Sequence, residues 1–204
     1  MDCCDPIYNA LHDYTRALSV ALGYRDWQTR LHSERVRALS KEIGLACGLT
    51  SAELSILKIA ASFHDIGKIG VPDHILMKPT ELDADEWACM KQHPVIGAKI
   101  MASIEIEGAQ QAAQAILHHH ESFDGQGYPH GIAGEDIPLC ARIIAIADSY
   151  DAISVRRSYH DRRPHPEVME ILRMEAQDRT KHDPEVMKCF IRVIESGRFD
   201  LGEA

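Results

Sequence analysis

Ala60-Ala61-Ser62-Phe63-His64-Asp65-Ile66-Gly67-Lys68 marks the point where an apolar helical run stops in an imidazole, a carboxylate and an ammonium. The run begins near Leu54 and passes through Leu57, Ile59 and Phe63, so its end is read as the interior end of a helix. Burying such a cluster is unfavourable unless its charges are paired. A divalent metal suits these groups. His64 offers a neutral nitrogen, Asp65 has two oxygens able to bridge two ions, and Lys68 is a cation for a bound anion. The rest of the chain must then supply the missing ligands.

Outward from this stretch, the segments read as helices. Thr50-Ser51-Ala52-Glu53 has the form of a capping box opening the central helix. Upstream, Val36, Leu39, Ile43 and Ala46 mark a helix over about residues 32–47 that stops at Gly48. Before it, Ile7, Leu11, Tyr14, Leu18 and Leu22 recur at helical spacing over residues 6–22. Downstream, Val71-Pro72-Asp73 interrupts the central helix, and Asp83-Ala84-Asp85-Glu86 caps a helix that leads through Trp87 and Met90 to His93-Pro94. Further helices are read over residues 95–104 and 109–120, the second ending in three consecutive histidines. The run from Glu121 to Gly131 is a loop by its Gly and Pro density. Cys140 to Ile153 is apolar on nearly every face, hence buried all round, with Asp148 inside it. His165-Pro166-Glu167 and Asp183-Pro184-Glu185 place Pro at the first positions of two last helices. No segment alternates as a strand does. The fold is read as all-α, a compact multi-helix bundle forming one domain over residues 1–204, with residues 1–25 as a linker or dimerisation helix.

Composition narrows the function. With 204 residues, 45% hydrophobic and 26% charged, the chain can build one substantial core. A net charge of -9 argues against a basic surface for DNA. A small phosphate ester held by local cations fits better. Cys3, Cys4, Cys47, Cys89, Cys140 and Cys189 form no C-x-x-C pair, against a zinc ribbon or a disulfide framework and in favour of a reducing cytoplasm. Asp2 and Asp5 stand where a signal peptide would carry basic residues, and no apolar run is long enough for a bilayer, so no membrane is expected.

His32, His64, Asp65, His93, His119, His120 and Asp148 each sit at the end or inside of an apolar helix. These five imidazoles and two carboxylates suffice for two divalent ions bridged by Asp65, one also taking His32, His64 and Asp148, the other His93, His119 and His120. Nitrogen and oxygen donors without thiolate suit iron, manganese, zinc or nickel better than magnesium or calcium. Two such ions about 3.5 to 4 Å apart can bind a phosphate diester and hold a bridging hydroxide at neutral pH for in-line attack. Lys68 is read as neutralising charge on the phosphoryl oxygens.

His64-Asp65 with Ile66-Gly67-Lys68-Ile69-Gly70, and the Gly127-Tyr128-Pro129 loop, resemble the HD-GYP family of the HD phosphohydrolase superfamily. The resemblance runs from about Thr29-Arg30-Leu31-His32 to the Phe190 region and includes Met90-Lys91-Gln92-His93-Pro94, His119-His120-Glu121 and Ala147-Asp148-Ser149-Tyr150-Asp151-Ala152. It implies hydrolysis of cyclic di-GMP to pGpG or GMP by a dinuclear centre, with iron placed first and manganese or nickel as alternatives. It carries the catalytic roles onto Asp65 and Lys68, and substrate contacts onto Lys68, Gly127, Tyr128, Asp151 and Arg157. A diguanylate cyclase domain is an expected partner of the GYP loop. Gln28 replaces a carboxylate that some members use for a third metal, and Ser158 and His160 also depart from the pattern. Those departures keep open a hydrolase of another nucleotide, such as cyclic GMP-AMP, and a non-catalytic binding domain.

Plainer readings attach to several of these residues. Asp148 could pair with Arg142 or Lys68, Arg157 with Asp151 or Asp161, and the loop glycines would serve any turn. His74, His118, His130 and His182 are read as facing solvent.

Overall fold

A computed structural model describes residues 6–25, 27–154, 170, 181–197 and 199. The helix α1 covers Pro6–Arg25, α2 Trp27–Ala46, α3 Ser51–Phe63, α4 Asp73–Leu76, α5 Ala84–Met90, α6 His93–Ala102, α7 Ala109–His118, α8 Leu139–Ser154 and α9 Pro184–Glu195. Short 3-10 turns occupy Ile66–Gly70 and Gly134–Asp136. Among the described residues there is no strand, so the all-α expectation holds. The helix expected after His165-Pro166 and the residue Arg157 lie outside the described residues.

The core follows from α3. Leu57, Ile59, Ala60 and Ala61 are fully buried, because α2 lies on one side, α7 on another and α8 on a third. Both capping boxes form. The Thr50 side chain accepts from the backbone of Glu53 while the Glu53 side chain accepts from that of Thr50, and Asp83 and Glu86 do the same at α5. Asp183 caps α9 ahead of Pro184, and α9 sends Phe190 into the core against Tyr150 at a ring separation of 5.3 Å. Cys47, Cys89, Cys140 and Cys189 are free thiols. Among the described residues no helix is long and apolar enough to cross a membrane.

Arg25, the last residue of α1, holds the segment that follows α3. Its guanidinium donates to the carbonyls of Lys68, Ile69 and Val71 and pairs with Asp73 at 2.7 Å. The same segment meets α6 backbone to backbone. A Cβ on Gly67 would lie 1.9 Å from the His93 carbonyl oxygen and 2.6 Å from the Gly97 nitrogen. Only glycine permits that approach, and it carries Asp65 up to His93. Gly67→Ala is therefore expected to cost about 1–3 kcal/mol through overpacking. The melting temperature should fall by about 2–4 °C for each of those kcal/mol, and divalent-ion uptake should weaken with it. Thermal unfolding at several manganese concentrations checks both.

Candidate metal centre

The seven polar residues singled out in the sequence come from the beginning of α2, the end of α3, the start of α6, the end of α7 and the middle of α8, and the fold brings all of them together. Their ligand atoms fall into two sets, one of Asp65, His93, His119 and His120 and the other of His32, His64 and Asp148, each with atoms within 4.8 Å of one another. Asp65 faces both. Its Oδ1 is 3.3 Å from His93 Nε2, while its Oδ2 is 3.6 Å from His64 Nε2 and 3.9 Å from His32 Nε2. In the second set, His32 Nε2 stands 3.1 Å from Asp148 Oδ1 and 3.3 Å from His64 Nε2.

Local backbone fixes which nitrogen points inward in three of the rings. His64 Nδ1 donates to the carbonyl of Ala61 at 2.8 Å, His93 Nδ1 to that of Met90 at 2.8 Å, and His119 Nδ1 to that of Ile116 at 2.6 Å. A carbonyl only accepts, so the proton sits on Nδ1 and Nε2 keeps a lone pair aimed at the centre. His93 Nε2 and His119 Nε2 are buried without a hydrogen-bond partner. Orphaned nitrogens of this kind, facing each other beside buried carboxylates, fit divalent cations and leave a centre costly to bury without them.

The charge states of His93, His119, His120, Asp65 and Asp148 agree with a ligand role. At His32, by contrast, burial is outweighed by the carboxylates of Asp148 and Asp151, which raise its pKa to about 9, so a cation there would displace its Nε2 proton. Burial lowers the pKa of His93 and, more strongly, that of His119, and it takes His120 down to about 3, so these imidazoles stay neutral. Burial would raise Asp65, but Lys68, then His64, His93 and His32, hold it well below the ordinary carboxylate value. Asp148 is likewise lowered against its burial, first by the hydrogen bond from His32. The alternative partners for Asp148 are engaged elsewhere: Arg142 pairs with Asp183 at 2.5 Å and Lys68 with Asp65 at 2.6 Å.

Asp151, expected as a substrate contact, is engaged within the protein. It is 2% exposed, and its oxygens are taken by His32 Nδ1 at 2.7 Å and by Arg35 at 2.6 and 2.9 Å. One turn of α8 separates it from Asp148, which places it behind His32 as an orienting partner. Arg35 was not singled out in the sequence, although it lies one helical turn beyond His32. Asp151→Asn is expected to weaken divalent-ion affinity about 10- to 100-fold with the fold intact; a competitive chelator titration measures it.

Gly127 has a structural reason of its own to be glycine. A Cβ there would lie 2.2 Å from the Ser122 nitrogen and 2.5 Å from Glu121 Cα, so its missing side chain lets the loop pack closely on its own backbone. Glu121 holds that loop, accepting from His130 N at 2.7 Å and Gly131 N at 3.0 Å. Tyr128 then lies over the centre. Its ring stacks on His120 at 4.9 Å and 30°, and Trp87 of α5 meets its edge at 6.1 Å. Lys68 is partly exposed beside Asp65. His74 and His130 are exposed as expected, but His118 and His182 are buried, which corrects the solvent-facing reading of both. The chain leaves α7 at His118 and folds the loop back over it.

A family model described as HD domain matches residues 18–186. A cyclic di-GMP phosphodiesterase of Thermotoga maritima is 38% identical over 183 residues, covering 90% of this chain and 49% of that protein. The chain belongs to the HD-GYP branch of the HD domain family. Another relative of this HD-GYP domain, a 3'3'-cGAMP-specific phosphodiesterase 2 of Vibrio cholerae, is 40% identical over 71% of this chain and 28% of its own. The chain thus spans about half or less of the length of these curated relatives. A solved HDGYP protein of Bdellovibrio bacteriovorus shares the HD-GYP fold with a TM-score of 0.64 at 21% identity, over 92% of this chain and 60% of that one.

Proposed function

We propose that the chain is a metal-dependent phosphodiesterase that hydrolyses cyclic di-GMP to pGpG, GMP or both. The observation that carries the reading is the double-faced placement of Asp65 between two sets of inward-pointing donors. His32, His64, Asp65 and Asp148 would hold one divalent ion and Asp65, His93, His119 and His120 the other, iron first and manganese or nickel next, supplying Lewis acidity and a water acidic enough to ionise near neutral pH.

The chain's own residues supply the rest. Lys68 extends from the 3-10 turn beside Asp65, where its ammonium meets charge building on the phosphoryl oxygens. Arg25 fixes the backbone from which it projects. Tyr128 and Trp87 offer aromatic surface at the mouth of the centre, suited to stacking a purine base. Burial, then the negative charges of Asp65 and Asp148, push the Tyr128 hydroxyl far above its ordinary pKa, so it acts as a hydrogen-bond donor and not as a base.

Chromatography of products from protein loaded anaerobically with iron, manganese or nickel tests the proposal. Conversion of cyclic di-GMP to pGpG or GMP is expected. No conversion with any of the three ions, in protein that has bound them, overturns it. A second reading, hydrolysis of a cyclic GMP-AMP, draws support from the name of the Vibrio relative and from Ser158 and His160. Both nucleotides supplied together in one assay separate the two by which is consumed first.

A further inference from the structure

Adjacent in the chain to His119 and His120 lies another group of donors that neither the seven-residue set nor the phosphodiester chemistry uses. His118, Glu121 and His130 place one ligand atom each within 4.8 Å of one another. His118 is the last residue of α7 and Glu121 follows it by three residues, while His130 comes from the loop two residues after Tyr128. The His118 side chain is 9% exposed and that of Glu121 is fully buried.

The hydrogen bonds of this group are incomplete. His118 Nδ1 is buried with no hydrogen-bond partner, and it stands 3.6 Å from Glu121 Oε1, beyond bonding distance. Each Glu121 oxygen accepts one backbone N–H, from His130 and from Gly131, and a carboxylate oxygen has a second lone pair to give. The His130 ring, exposed to solvent, stands 5.3 Å from the His118 ring. Two imidazoles and one carboxylate with an open position form a donor set that binds zinc and ions like it. Donors around a tetrahedral ion lie about 3.3 Å apart, given bonds near 2.0–2.2 Å. The exposed His130 side chain is free to close the remaining gap by a change of rotamer.

We propose that His118, Glu121 and His130 form a separate site for one zinc-type divalent cation, which clamps the GYP loop to the end of α7. The consequence lies in the fold. The last turn of α7 and the residues just after it give His119 and His120 to the dinuclear centre, and His118 and Glu121 to this site. The loop it would hold is the one that stacks Tyr128 on His120. A cation bridging His118 to His130 would therefore restrain the residue that covers the reaction centre.

The test compares wild-type protein with His130→Ala, whose changed side chain is exposed and leaves the Glu121 contacts to the backbone in place. Each is titrated with cobalt(II), a coloured stand-in for zinc, and ions bound are counted by elemental analysis after dialysis. The wild type is expected to hold one more equivalent than His130→Ala, with stronger tetrahedral-type cobalt absorption. Amide exchange over residues 126–131 should slow on addition of zinc in the wild type alone. His118→Gln serves as a second variant and should lose the same equivalent. Equal cobalt uptake by wild type and both variants, or equal slowing of exchange in wild type and His130→Ala, overturns the proposal. Because the readout is a difference between proteins, it does not depend on how many ions the buried centre takes. A His93→Ala protein, impaired only in that centre, should still bind the His130-dependent ion.

Discussion

Asp65→Asn is expected to leave a folded protein in which the proposed phosphodiesterase activity is lower by at least about 1000-fold, a loss of several kcal/mol of transition-state stabilisation. The side chain keeps its shape, so helix content should not change. What changes is chemistry on both faces of the group. The carboxylate presents Oδ1 to His93 at 3.3 Å and Oδ2 to His64 at 3.6 Å, whereas an amide offers one oxygen and turns N–H groups toward the other set. The charge that would offset two cations is lost as well. Manganese content at the buried centre should fall from two ions to fewer than one. Circular dichroism, elemental analysis and the product assay together check it, and a variant that keeps both ions and most of the rate would show that Asp65 does not bridge.

Lys68→Gln is expected to have the next largest effect, and a different one. Lys68 Nζ lies 2.6 Å from Asp65 Oδ2 but is not among the donors of either set, so both ions should stay. Removing a positive group aimed at developing charge typically lowers kcat about 100- to 1000-fold. Substrate affinity should change far less than kcat, because the charge being met is largest in the transition state. Steady-state kinetics with a metal count on the same sample separates the outcomes. A loss of less than about tenfold with both ions present would make Lys68 a structural partner of Asp65 and nothing more.

The elements that sequence reading located well are those whose ends carry their own signal. Thr50 to Glu53, Asp83 to Glu86 and Asp183-Pro184 each announce a helix start through side chains that bond their own backbone, and all three are present. The start of α2 was placed at His32 and lies at Trp27, because the first turn, Trp27-Gln28-Thr29-Arg30, has no apolar periodicity. The seven donors were legible for a related reason. A histidine or aspartate at the end of an apolar helix conflicts with its surroundings unless something binds it. What sequence could not show was direction. That Asp151 supports His32 does not follow from the sequence, since its orientation depends on how α8 lies against α2. Counting round α7 points His118 to solvent, but the helix ends there and the loop covers it. Nor does the sequence show that Gly127 lies tight against Glu121 and Ser122 of the same loop.

Anomalous diffraction from crystals grown with manganese tests the shared role of Asp65 most directly. Two peaks are predicted about 3.5–4 Å apart, one touching Asp65 Oδ1 among His93, His119 and His120, the other touching Oδ2 among His32, His64 and Asp148. A single peak, or two peaks of which only one contacts Asp65, would contradict it.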